Sequence, residues 1–191
     1  ATLEMAALLV RAAEVVATRT DGAPLVIGDA SASEGGDLPN HVSHASGRDV
    51  DLLFYVLDAD NRSVVATRFR AFDGSGRCRA QSCDRRFDDA RNWWLIRTLL
   101  VSQHPAVQWA FVSAPLRERL LAWAVEHDEH PAILARARRV LRQPSDAAPH
   151  DDHFHVRVFC TDRDHKAGCE DRSPRWPWIN DAGRAEPIRP Q

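Results

Sequence analysis

Apolar residues recur at helical spacing in four segments of the chain and form short continuous runs in several others. The helical spacing predicts helices over 3–18, from Asp88 or Asp89 to about 103, over 114–127 and over 131–141. The continuous runs predict strands over 25–27, 50–57, 107–112 and 154–159, and 63–70 is the expected hairpin partner of the second run. This order of elements predicts a mixed α+β fold, with a small, largely antiparallel sheet flanked by helices.

Polar segments separate these elements. Residues 28–48, 71–86 and 143–150 are predicted to be long loops, which in a compact domain usually have a functional role. Internal repeats and interdomain linkers are not apparent in the sequence. We therefore expect one domain over residues 1–191, with the proline-rich, charged residues 161–191 as a tail that wraps the surface.

The bulk properties exclude some classes of partner. The net charge is -2 and 44% of the residues are hydrophobic, so neither nucleic acid nor an anionic membrane is an expected partner. The apolar runs all fall short of the roughly 18 residues that a membrane-spanning helix needs. Arginines are abundant, and the group formed by Arg136, Arg138, Arg139 and Arg142 is interpreted as a solvated helix face.

The four cysteines form two close pairs, Cys78 with Cys83 and Cys160 with Cys169. An even, locally paired set favours disulfides and an oxidising compartment over the alternative of four reduced thiols. A signal peptide is not visible, and the chain runs from Ala1 directly into a helical pattern. This suits a processed product, so we expect a periplasmic or secreted protein whose leader has been removed.

Histidines are concentrated in two short windows, 41–51 and 150–155, which hold five of the nine. The five are His41, His44, His150, His153 and His155. On a strand, His153 and His155 point to the same face because side chains alternate with a period of two. Asp49 and Asp51 have the same spacing, so the two windows can direct imidazoles and carboxylates at one place.

This set of residue types suits zinc, which accepts imidazole nitrogen and carboxylate oxygen. A catalytic zinc keeps three protein ligands and leaves one position for water, and the two windows can supply two histidines and a carboxylate with histidines to spare. Any one of these histidines alone is better explained as a surface or hydrogen-bonded residue, whereas the two windows together favour a metal site. The motifs contain no glutamate, which argues against the HExxH type of zinc peptidase.

The segments HVSHASGRDVDL (41–52) and HDDHFHVRVFC (150–160), preceded by 27–29, resemble a known superfamily. It comprises lysostaphin, the D-Ala-D-Ala metallopeptidases and hedgehog domains, and within it the motifs are most similar to the penicillin-insensitive murein endopeptidases. A weaker similarity is carried by 111–113, and another by Cys160 and Cys169. The sequence departs from the family pattern at Arg48 and Thr161, which bears on substrate preference more than on metal chemistry.

The resemblance implies that His44, Asp51 and His155 bind Zn²⁺ and that His153 is the catalytic histidine beside the metal. It also implies that His41 and His150 line the site as further catalytic candidates. Three carboxylates could orient imidazoles from behind or could simply be solvated in loops, namely Asp49, Asp151 and Asp152.

The expected function is that of a zinc-dependent endopeptidase that hydrolyses D-alanyl–diamino-acid cross-links between peptidoglycan peptide stems. One alternative is a D-Ala-D-Ala carboxypeptidase or dipeptidase, which would need a cation such as Arg48 or Arg157 to hold the terminal carboxylate. The other is a zinc-holding binding domain without catalytic activity.

Overall fold

The computed structural model describes residues 1–31, 36, 44–166, 168–171 and 174–188. Within these residues the helices are α1 (Leu3–Arg19), α2 (Asp89–Val101), α3 (Ala114–Glu126), α4 (Pro131–Val140) and α5 (Asp162–Lys166). The strands are β1 (Ile27–Ala30), β2 (Asp49–Leu53), β3 (Val56–Leu57), β4 (Ser63–Val64), β5 (Arg86–Phe87), β6 (Val107–Phe111), β7 (Leu141–Arg142) and β8 (His153–Val158). The prediction of a mixed α+β fold is confirmed.

The strands form two small sheets. The larger has the order β1-β2-β8-β6-β7 and the smaller the order β4-β3-β5. In the larger sheet, β1 with β2, β2 with β8, and β8 with β6 are antiparallel pairs, and β6 with β7 is a parallel pair. The strand β8, which comes last in the sequence, thus lies in the middle of the sheet between β2 and β6.

The two faces of the larger sheet carry different side chains. Val50 and Leu52 of β2 and Phe154 and Val156 of β8 are completely buried and belong to the hydrophobic core that includes apolar residues of α1, α2, α3 and α4. Because side chains alternate along a strand, the residues between them point to the opposite face. That opposite face, which we call the site face, carries the aspartates of β2 and the histidines of β8.

The continuous strand predicted for 50–57 is wrong, since the chain passes there from one sheet to the other between β2 and β3. The backbone N–H of Tyr55 donates to the Asn92 side chain, and the carbonyl of Tyr55 accepts from Asn92 and from the N–H of Asp88. Helix α2 therefore supplies the hydrogen bonds that a neighbouring strand would otherwise provide. The predicted hairpin is present but short, because only Ser63 and Val64 pair with β3.

The first predicted strand covers residues 25–27. The strand instead begins at Ile27, which is 52% exposed, because β1 is the edge of the sheet and has β2 on one side only. The loop predicted for 28–48 therefore overlaps β1, and its remainder falls mostly outside the described residues.

Both cysteine pairs are bonded, so the two predicted disulfides, Cys78–Cys83 and Cys160–Cys169, are confirmed. The predicted solvated arginine face is wrong for Arg136, which is buried and donates to the carbonyls of Leu100 and Glu186. A buried guanidinium is tolerated there because backbone oxygens satisfy its N–H groups.

Residues near the C-terminus reach the core and the site face. Ile179 and Ala185 are buried, and the Trp176 ring packs edge-on against Trp109 of β6 at a centroid distance of 4.9 Å. Helices long and apolar enough to cross a membrane are absent from the part of the chain that the structure describes.

Candidate metal centre

Three side chains from three chain segments converge on the site face. His44 lies in the turn that precedes β2, while Asp51 of β2 and His155 of β8 are paired directly across the two strands. The His44 Nε2 atom is 3.3 Å from His155 Nδ1 and 3.4 Å from Asp51 Oδ1, and His155 Nδ1 is 3.0 Å from that oxygen. All three residues are buried. This group could hold a metal ion.

His153 lies two residue pairs further along the same strands, opposite Leu53. Its Nδ1 atom is 2.6 Å from Asp152 Oδ1, and its Nε2 atom is 3.4 Å from Asp51 Oδ1. The Phe69 ring packs edge-on against it at 5.2 Å. The imidazole is thus held by a carboxylate on one side and directed at the buried group on the other, and its side chain is still 18% exposed.

The position of His150 is set by its backbone and its aromatic neighbours. Its N–H donates to the side chain of Gln143, and its carbonyl accepts from the N–H of Ser113. Its ring lies 5.2 Å from the ring of His153 and 5.9 Å from that of His155. Burial, followed by the proximity of the other two imidazoles, lowers the pKa of His150 to about 4, which keeps it neutral near neutral pH. His41 lies outside the described residues.

Three carboxylates are candidates for orienting imidazoles, and two of them, Asp49 and Asp152, each contact a histidine ring. Asp49 Oδ1 lies 2.9 Å from His155 Nε2 and 2.7 Å from Arg157 Nε, and Asp152 contacts His153 as described above. Asp151 instead faces Arg79. Asp49 is completely buried, and a histidine whose second nitrogen is held by a carboxylate is a frequent arrangement at metal sites.

Two aspartates place negative charge on the site face. Burial alone would raise the pKa of Asp51, but hydrogen bonds from His155 and His44 outweigh it and hold that pKa well below its usual value. The pKa of Asp49 is likewise lowered, since hydrogen bonds from His155 and Arg157 overcome the effect of burial. Both carboxylates are therefore anionic and suited to a cation.

The carboxypeptidase alternative needed a cation available to a terminal carboxylate. Arg48 is buried and already bound, because its guanidinium donates to the Val158 and Glu170 carbonyls and to the Asp171 carboxylate. Arg48 thus ties Glu170 and Asp171, which follow Cys169, to the end of β8, and its guanidinium is engaged there. Arg157 is held by Asp49 on the site face.

Aromatic residues around the centre were not predicted as site residues. Phe111 is opposite His155 in the sheet, with ring centroids 5.5 Å apart, and Phe69 approaches from the segment after β4. Trp109 and Phe111 are two positions apart in a predicted strand, so the sequence indicates that they share a face of the sheet. That this face is the site face follows only from the pairing of β6 with β8. For Phe69 the sequence offers no comparable signal.

Loss of the Asp49 contact should weaken metal binding without abolishing it. We expect Asp49→Asn to lower metal affinity about 10- to 100-fold, because the amide holds His155 less firmly than the carboxylate does. Competition with a chromophoric chelator measures the change. Asp151→Asn is the matched control, since Asp151 contacts Arg79 and, among the residues that the structure describes, no imidazole. Equal affinities for the two variants would contradict a role for Asp49 in holding His155.

A sheet that presents a buried group of two histidines and an aspartate beside a partly exposed histidine is typical of hydrolytic enzymes. The family model for penicillin-insensitive murein endopeptidases matches residues 2–182, and the chain belongs to this family. The search of curated proteins found no match.

The chain is therefore an enzyme, a peptidase that acts on murein, the peptidoglycan of bacterial cell walls. The endopeptidase prediction is confirmed, and neither the carboxypeptidase nor the non-catalytic alternative receives support from the family. A cell-wall substrate and two disulfides together indicate a location outside the cytoplasm.

Proposed function

We propose that the protein is a zinc-dependent endopeptidase that hydrolyses D-alanyl–diamino-acid cross-links of peptidoglycan, with His44, Asp51 and His155 as zinc ligands. The observation that carries this proposal is the mutual spacing of the three ligand atoms, 3.0 to 3.4 Å. Tetrahedral zinc with bonds of about 2.0–2.1 Å holds its ligand atoms about 3.3 Å apart. The spacing and the donor types thus both fit zinc.

Zinc bound by these residues would activate a water molecule and polarise the carbonyl of the bond to be cut. Catalysis then needs a group that takes and returns protons beside the metal. His153 suits this role, because its Nε2 atom is directed at the site while Asp152 holds its Nδ1 atom. The Asp152 carboxylate would stabilise the imidazolium formed when His153 accepts a proton.

The remaining site residues support the ligands and the substrate. Asp49 Oδ1 lies at His155 Nε2, and by accepting a hydrogen bond from Nε2–H it would leave Nδ1 available to zinc. Neutral His150 would donate its ring N–H to the oxygen on which negative charge develops. His41 is proposed as a further residue lining the site on the strength of the family resemblance alone.

The proposal extends to the superfamily, the domain organisation and the location of the protein. We place the family in the superfamily of lysostaphin, the D-Ala-D-Ala metallopeptidases and hedgehog domains. We further propose that residues 1–191 form one metallopeptidase domain and that the protein is periplasmic or secreted.

A purified cross-linked muropeptide dimer tests the proposal. We expect conversion of the dimer to monomers, loss of activity on treatment with a zinc chelator, and recovery on addition of Zn²⁺. Penicillin should not inhibit, because no serine nucleophile takes part. Chromatography with mass spectrometry identifies the products. Release of D-alanine from an intact dimer, or full activity in the presence of the chelator, would contradict the proposal.

A further inference from the structure

The site face continues beyond the proposed ligands onto β6 and β7. Phe111 of β6 is paired with His155 on one side and with Arg142 of β7 on the other. Adjacent strands lie about 4.8 Å apart, so the Arg142 backbone is roughly 10 Å from that of His155. A long arginine side chain on the same face can therefore reach a substrate bound at the metal centre.

Two aromatic rings, those of Phe111 and Trp109, lie between the metal centre and Arg142. The rings of Trp109 and Phe111 are stacked with centroids 5.7 Å apart, and Phe111 contacts the ring of His155. The Arg142 guanidinium lies 5.1 Å from the centroid of the Trp109 ring. Trp176 packs edge-on against Trp109 and fixes it, so the guanidinium rests on a rigid surface rather than extending freely into solvent.

Positive charge at this end of the face exceeds the negative charge available to balance it. Arg142 is exposed, and within the described part of the chain no carboxylate lies within ion-pair distance of it. Arg157, which is paired with Trp109 in the sheet, donates its Nε–H to Asp49 and retains further N–H donors in a side chain that is 19% exposed. One guanidinium thus lies over the Trp109 indole and a second belongs to its partner residue across the sheet, although the whole chain has a net charge of -2.

The opposite end of the site face differs in character. There His153 is bordered by Phe69 and Leu53, and a side chain at Gly28 would collide with the Phe69 ring. A substrate lying across the centre from Phe69 to Arg142 would therefore meet apolar surface on one side of the scissile bond and cations on the other. This asymmetry suits a substrate that carries a methyl group on one side of the bond and a carboxylate on the other.

We propose that Arg142, supported by Trp109 and Arg157, forms a carboxylate-binding subsite for the diamino acid of the cross-link. The inference rests on the proposed function. It concerns diamino acids that bear a carboxylate on the carbon attached to the cross-linking amine, so that the carboxylate lies next to the bond that is cut. A planar guanidinium held over an indole recognises such a group through paired hydrogen bonds.

The test compares two cross-linked dimers that are identical except that this carboxyl group is free in one and amidated in the other. The wild-type enzyme should favour the free acid in kcat/KM by at least about tenfold, the usual scale for hydrogen bonds to a charged group. Arg142→Gln should bring that ratio close to one and leave cleavage of the amidated dimer nearly unchanged. Arg142→Lys should restore part of the preference, which a merely structural role would not predict.

Arg139→Gln is the matched control, because Arg139 is an exposed arginine near the end of α4 and should keep the wild-type ratio. Binding of both dimers to His153→Ala, measured by calorimetry, gives the same comparison without turnover. A preference in binding with no cleavage by the wild type would support the subsite and contradict the proposed function. Equal binding and equal cleavage of the two dimers by the wild type, or an equal loss on both from Arg142→Gln, would overturn the subsite.

Discussion

Alanine in place of His44 or His155 should give a folded protein that binds no stoichiometric zinc and has lost murein hydrolysis by more than about a thousandfold. Each histidine supplies one of the three atoms that we propose as zinc ligands, and these atoms lie within 3.4 Å of one another. A site reduced to two ligands holds zinc far more weakly, and the rate enhancement supplied by the metal is lost with it. Elemental analysis of the purified variants and dimer cleavage measure the two effects.

The control for this prediction is His127→Ala. His127 is an exposed histidine at the end of α3 that stacks on Trp123, far along the chain from both motifs. It should keep full metal content and activity. Thermal unfolding shows whether each variant is folded. Stoichiometric zinc in folded His44→Ala or His155→Ala would remove that residue from the ligand set.

Replacing His153 should separate metal binding from catalysis. We expect His153→Ala to keep its zinc and to lose about 100- to 10,000-fold in kcat, the range typical of a general acid or base. The reason is that His153 faces the centre through Nε2, while His44, Asp51 and His155 form the proposed ligand set; His153 also belongs to a second possible metal group with His150 and His155, so the metal content of this variant separates the two groups. Metal analysis and dimer kinetics on the same preparation give the comparison.

Asp152→Asn is the informative companion to this variant, because it leaves the imidazole in place and removes the charge 2.6 Å from Nδ1. Its loss in kcat should be smaller than that of His153→Ala, and its zinc content should be normal. If His153→Ala is metal-free, His153 is a ligand rather than a proton carrier. If it retains nearly full activity, the residue has no part in the chemistry.

The helices α1 to α4 were predicted closely from the sequence, the short α5 was not predicted, and the strands were predicted less closely. The signals for α2 and α4 are local, namely the Asp88 side chain that caps α2 and the proline at the start of α4. The break between β2 and β3 depends instead on Asn92, which is distant in the sequence and bonds to Tyr55 only in the folded chain. The pattern of apolar residues indicates which side chains are buried, but it does not indicate which backbone groups form hydrogen bonds with distant residues.

For the site, too, features set by local sequence could be predicted and features set by distant residues could not. The period of two in a strand was enough to bring His153 and His155 to one face, and likewise Asp49 and Asp51. The register that sets Asp51 opposite His155 could not be deduced from the sequence, because it is a property of two strands more than a hundred positions apart. For the same reason the sequence favours a solvated helix surface for Arg142, whereas this residue lies in β7 and its guanidinium lies over the Trp109 ring.

The alternation along β8 has an evolutionary consequence. Phe154, Val156 and Val158 are buried in the core, and they interleave with His153, His155 and Arg157 on the other face. Stability and chemistry are thus encoded by separate, interdigitated positions of one short segment. Of the outward set, Arg157 is neither a proposed ligand nor the proposed proton carrier, so a change there can alter substrate choice while the two histidines keep the chemistry and the inward set preserves the fold.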